Sequence, residues 1–190
     1  SGTTLMRSMM AAGGPIAIPA ETQSLHTLPI KYNATRSQGW DMQVRSIVAS
    51  FESHHNFPLW QVNLADTYRK LLVLPEVERS LARIIHEVHF AYATQAFPEA
   101  EVWGDQSPLH TFYLPTINRV FPMARYMHLL RDGRDVVSSM VTRHGDDYLF
   151  EAVLRWKTSL RRINQFRKGL STDRFIEIRY ENLVREPELT

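Results

Sequence analysis

The sequence has no cysteine, and this absence excludes a disulfide framework, a thiolate zinc site and thiol chemistry. It also lacks any apolar run close to the ~18 residues that a membrane-spanning helix needs, so no transmembrane segment is predicted. The excess of positive charge is small as well: the 22 basic residues are nearly balanced by 20 acidic ones, which argues against a nucleic-acid-binding face. We therefore predict a cytoplasmic location, unless a targeting segment precedes Ser1.

The length and the hydrophobic content fit a single folded domain. The chain has 190 residues, of which 44% are hydrophobic, enough for one buried core. There is no internal repeat and no low-complexity segment that would mark a boundary between domains. We therefore predict one domain over residues 1–190.

Hydrophobic periodicity predicts helices in the middle third of the chain and short strands on either side of it. The clearest amphipathic stripe consists of Val77, Leu81, Ile84, Ile85, Val88 and Tyr92. The strand candidates are Ile16–Ile18, Glu101–Gly104, Arg125–Leu130 and Arg174–Tyr180. Strands that alternate with helices favour parallel βαβ units, so we predict an α/β fold, a three-layer α/β/α arrangement around a central parallel sheet. Ligands of such sheets bind beyond the carboxyl ends of the strands.

The first four residues, Ser1-Gly2-Thr3-Thr4, precede a predicted helix and have the composition of a phosphate-binding loop. Glycine allows close approach of the backbone, and the N–H groups at a helix N-terminus favour an anion. The same residues could form an ordinary helix cap. Because the Gly-Lys-Ser/Thr of a Walker loop is missing, a nucleoside triphosphatase is disfavoured.

A second motif lies at His128–Met140, where a strand, a tight turn and a helix carry Arg131 and Ser139. Together with residues 1–4, it closely resembles the two signatures of the sulfotransferase superfamily that uses 3′-phosphoadenosine-5′-phosphosulfate. Residues 179–183, Arg-Tyr-Glu-Asn-Leu, resemble a downstream segment of the same superfamily. The first motif is most similar to the tyrosylprotein and bacterial branches, and the resemblance implies a P-loop-like fold.

The resemblance implies a role for each matching residue. The residues implied to contact the 5′-phosphosulfate are Ser1, Gly2, Thr3 and Thr4. Arg131 would pair with the 3′-phosphate, Ser139 would donate a hydrogen bond to it, and Arg143 could add a second guanidinium. Tyr180 resembles a family tyrosine near the nucleotide. The alternatives stay open: Arg143 could lie on a solvated helix face, and Tyr180 could be a core residue at the end of a strand.

Two further residues bear on catalysis. Glu21 lies beyond the first helix, at the spacing of a glutamate that acts as general base in the tyrosylprotein branch; its alternative role is to complement a helix dipole. In the loop Gly104–Pro108, members of the superfamily commonly carry lysine where this chain has Gln106. Glutamine brings no charge to the leaving group, and charge-assisted hydrogen bonds are about twice as strong as neutral ones.

The sequence therefore predicts a sulfotransferase that moves a sulfuryl group onto an acceptor hydroxyl by in-line displacement, releases adenosine 3′,5′-bisphosphate and needs no metal. The acceptor could be a small molecule, a carbohydrate or a peptide, and the oligomeric state is open. The alternatives are a catalytically impaired nucleotide-binding module, which Gln106 favours, and a P-loop kinase. The domain is expected to lack its first strand and its C-terminal adenosine-closing segment. The helices of residues 36–97 should wall the acceptor cavity, with candidate lining residues Trp40, Phe51, Phe57, Trp60 and Tyr68, most of which core packing would also explain.

Overall fold

The structure is a computed structural model that describes residues 2–13, 15–22 and 25–187. Within these residues there are nine α-helices and four short strands. The helices are α1 Thr3–Gly13, α2 Leu28–Ala34, α3 Trp40–Glu52, α4 Ala65–Leu72, α5 Leu81–Ala96, α6 His110–Val120, α7 Gly133–His144, α8 Leu149–Arg167 and α9 Tyr180–Arg185. The strands are β1 Ile16–Ala17, β2 Val102–Trp103, β3 Tyr126–Leu130 and β4 Phe175–Arg179. The described chain divides into a first unit, residues 2–4 and 111–187, and a second unit, residues 5–110.

The first unit is built on one βαβ connection. Strands β3 and β4 pair in parallel, from Tyr126 opposite Phe175 to Leu130 opposite Arg179. Helices α7 and α8 lie between them in the chain and pack against each other. Parallel strands need such a crossover, because a tight turn cannot return the chain in the same direction. The carboxyl end of β3 therefore leads directly into the turn that starts α7.

The second unit is mainly helical, with a short parallel pair at one side. Strand β1 pairs with β2, and the amide of Gly104 extends this pairing with a 2.9 Å hydrogen bond to the Ala17 carbonyl. The core lies mostly on α3 and α5, whose apolar residues recur at helical spacing. Its fully buried members include Val44, Ile47, Phe51, Ile84, Ile85 and Val88. Burial of such side chains is the main stabilising contribution to the unit.

The predicted helices and strands are observed, with three differences. Val77 does not belong to the buried stripe: it lies in a 3₁₀ turn before α5 and is 95% exposed. Helix α5 begins at Leu81, where the Ser80 hydroxyl caps it by accepting the Arg83 amide at 3.1 Å. Helices α2, α6 and α9 were not predicted; α6 contains Pro115 and a kink, which obscured its periodicity.

The α/β class is confirmed, since helices alternate with parallel strand pairs. The three-layer arrangement around one central sheet stays a prediction, because the described strands form two separate two-stranded pairs. The single-domain prediction for residues 1–190 is likewise untested. Across the described part of the chain, no helix combines the length and the apolar character that crossing a bilayer requires.

Candidate functional site

Gly2 and Tyr180 are in contact in the first unit. Gly2 has a φ of +89°, a conformation that side-chain-bearing residues rarely adopt. A Cβ atom at this position would lie 2.4 Å from Cδ2 of Tyr180 and 3.3 Å from Cδ2 of Leu129. Only glycine therefore allows the backbone at the start of α1 to approach the tyrosine ring this closely. Ser1, the first member of the predicted loop, lies outside the described residues.

Arg131, which immediately follows β3, contacts the same tyrosine ring. Its guanidinium carbon is 4.6 Å from the centroid of the Tyr180 ring, a cation–π contact. Its Nε is buried and has no hydrogen-bond partner among the described residues, and a carboxylate oxygen of Asp135 lies 3.8 Å from one of its terminal nitrogens. A buried charged donor is normally hydrogen-bonded. Arg131 is thus able to accept an anionic ligand, as its predicted role at the 3′-phosphate requires.

The turn that carries Arg131 is held by residues that the sequence did not single out. The Glu181 carboxylate accepts the Asp132 amide at 2.8 Å, and this hydrogen bond lowers the pKa of Glu181. The Trp156 ring packs on the turn itself, since a Cβ at Gly133 would lie 2.7 Å from that ring. Glu181 belongs to the Arg-Tyr-Glu segment, so a signal for it existed. Trp156 belongs to none of the motifs identified in the sequence.

Ser139 and Arg143 lie on α7, and both are exposed. Because they are four residues apart, their side chains leave the same face of the helix. The structure therefore brings together Gly2, Arg131 and Tyr180 by direct contact, and it places Ser139 and Arg143 beside each other. A contact of these last two with a phosphate stays a prediction, and a solvated helix face would also explain Arg143. Thr3 and Thr4 lie in the first turn of α1, so the helix begins two residues earlier than predicted.

Glu21 belongs to the second unit. It lies in the connection after β1, seven residues before α2 begins, so it is not in the first turn of a described helix, as the alternative role would require. Its carboxylate Oε1 accepts a 2.5 Å hydrogen bond from the Ser107 hydroxyl. Its backbone carbonyl accepts the side-chain amide of Asn56 at 2.8 Å. The connection is therefore fixed on both its backbone and its side chain. Its role as general base stays a prediction.

Two residues before Ser107, the loop contains a buried carboxylate. The Asp105 side chain is 4% exposed, and its oxygens lie 3.1 Å from Nε2 of His110 and 3.9 Å from Nε2 of His89. Burial alone would raise the pKa of Asp105, but His110 and His89 outweigh it and hold this pKa far below its ordinary value. Both imidazoles face this buried carboxylate and link the loop to α5 and to His110, although neither Asp105 oxygen has a hydrogen-bond partner among the described residues. In the described part of the chain, no three potential metal ligands lie close enough together to bind an ion.

Gln106 lies between these two anchored residues. Its Oε1 is buried and has no hydrogen-bond partner among the described residues.

Two of the aromatic residues predicted to line the acceptor cavity are buried in the core. Phe51 and Trp60 are 0% and 1% exposed, and Trp60 donates its indole N–H to the Ala20 carbonyl at 2.8 Å. Core packing therefore accounts for Phe51 and Trp60, as the alternative interpretation held.

Comparison with known proteins supports one family. A family model described as "Sulfotransferase family" matches residues 1–190. The omega-hydroxy-beta-dihydromenaquinone-9 sulfotransferase of Mycobacterium tuberculosis is 25% identical over 124 residues, which cover 58% of this chain and 30% of that protein. The sulfotransferase domain from the Synechococcus PCC 7002 olefin synthase has a TM-score of 0.61 at 23% identity, covering 100% of this chain and 66% of that one. The sulfotransferase domain from the curacin biosynthetic pathway has a TM-score of 0.57 at 20% identity, with the same coverage.

These similarities support different conclusions about the chain. The two solved domains, both below 25% identity, show the fold alone. The matched segment spans less than a third of the length of the mycobacterial protein. The family match, in contrast, extends over the whole chain, including the segments that contain Gly2, Arg131 and Tyr180.

Proposed function

Because the chain belongs to the sulfotransferase family, we propose that it transfers a sulfuryl group from 3′-phosphoadenosine-5′-phosphosulfate to an acceptor hydroxyl by in-line displacement. The observation that carries this proposal is the contact of Tyr180 with both Gly2 and Arg131. It joins the two segments that resemble the phosphate-binding signatures, although 129 positions separate Gly2 from Arg131 in the sequence. Proximity in the sequence cannot explain why these residues contact the same ring. The tertiary contact is therefore independent support for a shared ligand.

The first unit would hold the donor. The N-terminus of α1, with Gly2, Thr3 and Thr4, would receive the 5′-phosphosulfate, because backbone N–H groups and the helix dipole favour an anion there. Arg131 would pair with the 3′-phosphate through donors that include its buried Nε. A bidentate guanidinium–phosphate contact adds geometric specificity to the charge interaction. Ser1 is part of the same proposal by its sequence position.

Ser139, Arg143 and Tyr180 complete the proposed donor site. Ser139 and Arg143 would add a hydroxyl and a second guanidinium to the 3′-phosphate, since they share one exposed face of α7. Tyr180 would present its ring to the nucleotide while it keeps Arg131 in place.

Glu21 would be the general base. The co-substrate supplies the sulfuryl group: the acceptor oxygen bonds to sulfur as the bond from sulfur to the phosphate oxygen breaks, and adenosine 3′,5′-bisphosphate leaves with that electron pair. The proton of the acceptor hydroxyl passes to the Glu21 carboxylate, which must come within about 2.6–3.2 Å of the acceptor oxygen or reach it through one water. The 2.5 Å hydrogen bond from Ser107 supports this role, because it fixes the carboxylate in one orientation.

Gln106 supports a second candidate, a nucleotide-binding module with weak or no turnover. A lysine at this position would compensate the negative charge that develops on the leaving oxygen, and a neutral amide cannot. The Gln106 amide could donate only a neutral hydrogen bond to that oxygen, and its own Oε1 is buried without a partner among the described residues. This candidate shares the donor site and differs only in turnover.

The acceptor class belongs to the proposal as well. The mycobacterial relative is named for a hydroxylated menaquinone, and we propose a small-molecule, carbohydrate or peptide hydroxyl for this chain. The proposal includes a three-layer α/β/α domain over residues 1–190 around a central parallel sheet. The cytoplasmic location stays a prediction.

Turnover separates the two candidates. The protein is incubated with the donor and a panel of hydroxyl acceptors, and sulfated product is detected by mass spectrometry; binding of adenosine 3′,5′-bisphosphate is measured by calorimetry. Sulfotransfer that falls about 10²–10⁴-fold in Glu21→Gln, with unchanged bisphosphate binding, supports the proposed reaction and base. Tight bisphosphate binding without turnover on any acceptor supports the binding module. Absence of both contradicts the proposal.

A further inference from the structure

The Ser107 hydroxyl is committed to Glu21 by its own hydrogen bonds. Ser107 is 8% exposed, and its oxygen accepts the backbone amide of Leu109 at 3.1 Å. A hydroxyl has one proton and two acceptor lone pairs, so an oxygen that already accepts an N–H directs its proton elsewhere. The carboxylate oxygen Oε1 of Glu21, 2.5 Å away, receives it. The donor and acceptor roles in this pair are therefore defined.

The backbone holds both ends of this contact in place. Ser107 lies in the loop after β2, and its carbonyl accepts the His110 amide at 3.1 Å. On the other side, Ala20 and Glu21 follow β1 and accept side-chain donors from Trp60 and Asn56, each at 2.8 Å. Since β1 and β2 are parallel, both loops leave the same edge of the pair. The register of these strands thus sets the distance between the hydroxyl and the carboxylate.

A buried cluster of Asp105, His89 and His110 lies next to Ser107 in the loop and in the turn that follows it. Asp105 contacts His110 at 3.1 Å, so the loop is tied down two residues before and three residues after Ser107. His89, which is fully buried, forms a 3.0 Å hydrogen bond between its Nδ1 and the Ile85 carbonyl and turns Nε2 toward Asp105. Movement of the loop would take the buried Asp105 carboxylate away from both imidazoles, and a buried charge disfavours such a separation.

We infer that Ser107 is a positioning residue for the proposed base. By occupying Oε1, it orients the Glu21 carboxylate so that Oε2 is left to take the proton from the acceptor hydroxyl. Ser107 itself exchanges no proton with the substrate, because its hydroxyl proton stays shared with Oε1 throughout the step. The inference rests on the proposed function, and it adds a residue from a loop that the sequence analysis considered only for Gln106.

The experiment compares Ser107→Ala and Ser107→Thr with the parent protein. The alanine variant lacks the donor, and we expect kcat to fall about 10–150-fold, the range of one hydrogen bond to a charged group. KM for donor and acceptor and the Kd of adenosine 3′,5′-bisphosphate should stay within about twofold, because only an interaction used in the transition state is removed. Threonine keeps the hydroxyl and should restore kcat to within about fivefold of the parent.

Two further variants separate positioning from a general structural effect. When Ser107→Ala is added to Glu21→Gln, kcat should fall by less than about threefold relative to Glu21→Gln alone. A residue that acts through Glu21 has nothing left to orient in that background. Ser50→Ala is the matched control: Ser50 belongs to the same unit, its hydroxyl donates to the Ser46 carbonyl at 2.7 Å, and its loss should leave kcat unchanged.

The possible failures are distinguishable. A Ser107→Ala protein with parental kcat, or one whose loss is fully additive with Glu21→Gln, overturns the inference while the proposed function stands. If the parent protein forms no sulfated product at all, the proposed function fails and the inference falls with it. If Ser107→Ala lowers kcat and also raises KM, and if Ser107→Thr shows the same defects, the role of Ser107 is structural only. That result also overturns the positioning role.

Discussion

Replacing Gly2 with alanine tests how the start of α1 depends on Tyr180. Two costs are expected, and the structure separates them. The φ of +89° disfavours any L side chain, which costs about 1–3 kcal/mol. In addition, the new Cβ would lie 2.4 Å from the tyrosine ring, so the ring or the backbone must move. Because Arg131 contacts the same ring, a displaced Tyr180 also removes support from the proposed 3′-phosphate ligand.

The magnitude follows from the contacts that are lost. One hydrogen bond to a charged group contributes about 1.5–3 kcal/mol, so misplacing Arg131 should weaken binding of adenosine 3′,5′-bisphosphate about 10–150-fold. Gly39 provides the matched control, since its φ is +87° and no atom lies within 4 Å of the position that an added Cβ would take. Gly39→Ala should therefore lose stability through the backbone alone, with binding unchanged.

The assay combines thermal unfolding with calorimetric titration of the bisphosphate. We expect both alanine variants to have a lowered Tm, and only Gly2→Ala to have a raised Kd. The double variant Gly2→Ala/Tyr180→Leu should bind the bisphosphate as well as the single variant Tyr180→Leu does, because the clash disappears with the ring. A folded Gly2→Ala protein with parental affinity would refute the reasoning, and so would an equal loss of affinity in Gly39→Ala.

Three further predictions concern single side chains. Arg131→Ala should weaken the bisphosphate about 10–150-fold and leave AMP unaffected; equal losses for both ligands by calorimetry would contradict a 3′-phosphate contact. Gln106→Lys should raise kcat about tenfold with little change in bisphosphate affinity, because the added charge acts on the leaving group in the transition state; an unchanged or lower kcat would show that another residue fills this role. Asp105→Asn should lower the free energy of unfolding at pH 7 by about 3 kcal/mol. Because the pKa of Asp105 is lower in the folded than in the unfolded state, its contribution to stability is present above about pH 5 and is lost as the pH falls. The free energy of unfolding, measured with urea at pH 7 and pH 3, should therefore change less with pH in the variant than in the parent. An equal decline in both proteins would contradict this.

Local sequence patterns predicted most of the secondary structure, because each depends on residues close together in the chain. The turn Arg131–Gly133 between β3 and α7 could be read from a strand pattern followed by a helix with a capping aspartate. Helix α1 was predicted too, although it begins at Thr3 and not after Thr4. Val77 was assigned wrongly because a stripe of apolar residues continues across the break at Ser80, and periodicity alone does not show where a helix begins.

Motif resemblance predicted which residues share the candidate donor site, although it could not show how they meet. Gly2, Arg131 and Tyr180 come from three separate segments, and each was identified by the motif around it. From the sequence alone, Tyr180 could be either a nucleotide ligand or a core residue. The tertiary structure shows that its ring contacts both other residues, which is a property of three chain segments at once.

By itself, the sequence determined the α/β class, the positions of the motifs that resemble phosphate-binding signatures and the family to which they are similar, since these depend on local order and residue type. Only the tertiary structure decided the partners of Glu21, Arg131 and Asp105. The Ser107 hydroxyl reaches Glu21 across 86 positions because β1 and β2 are parallel and in register, and no local pattern encodes that pairing. Strand register is set by burial and hydrogen bonding along the whole pair, so contacts of this kind exist only once the chain has folded.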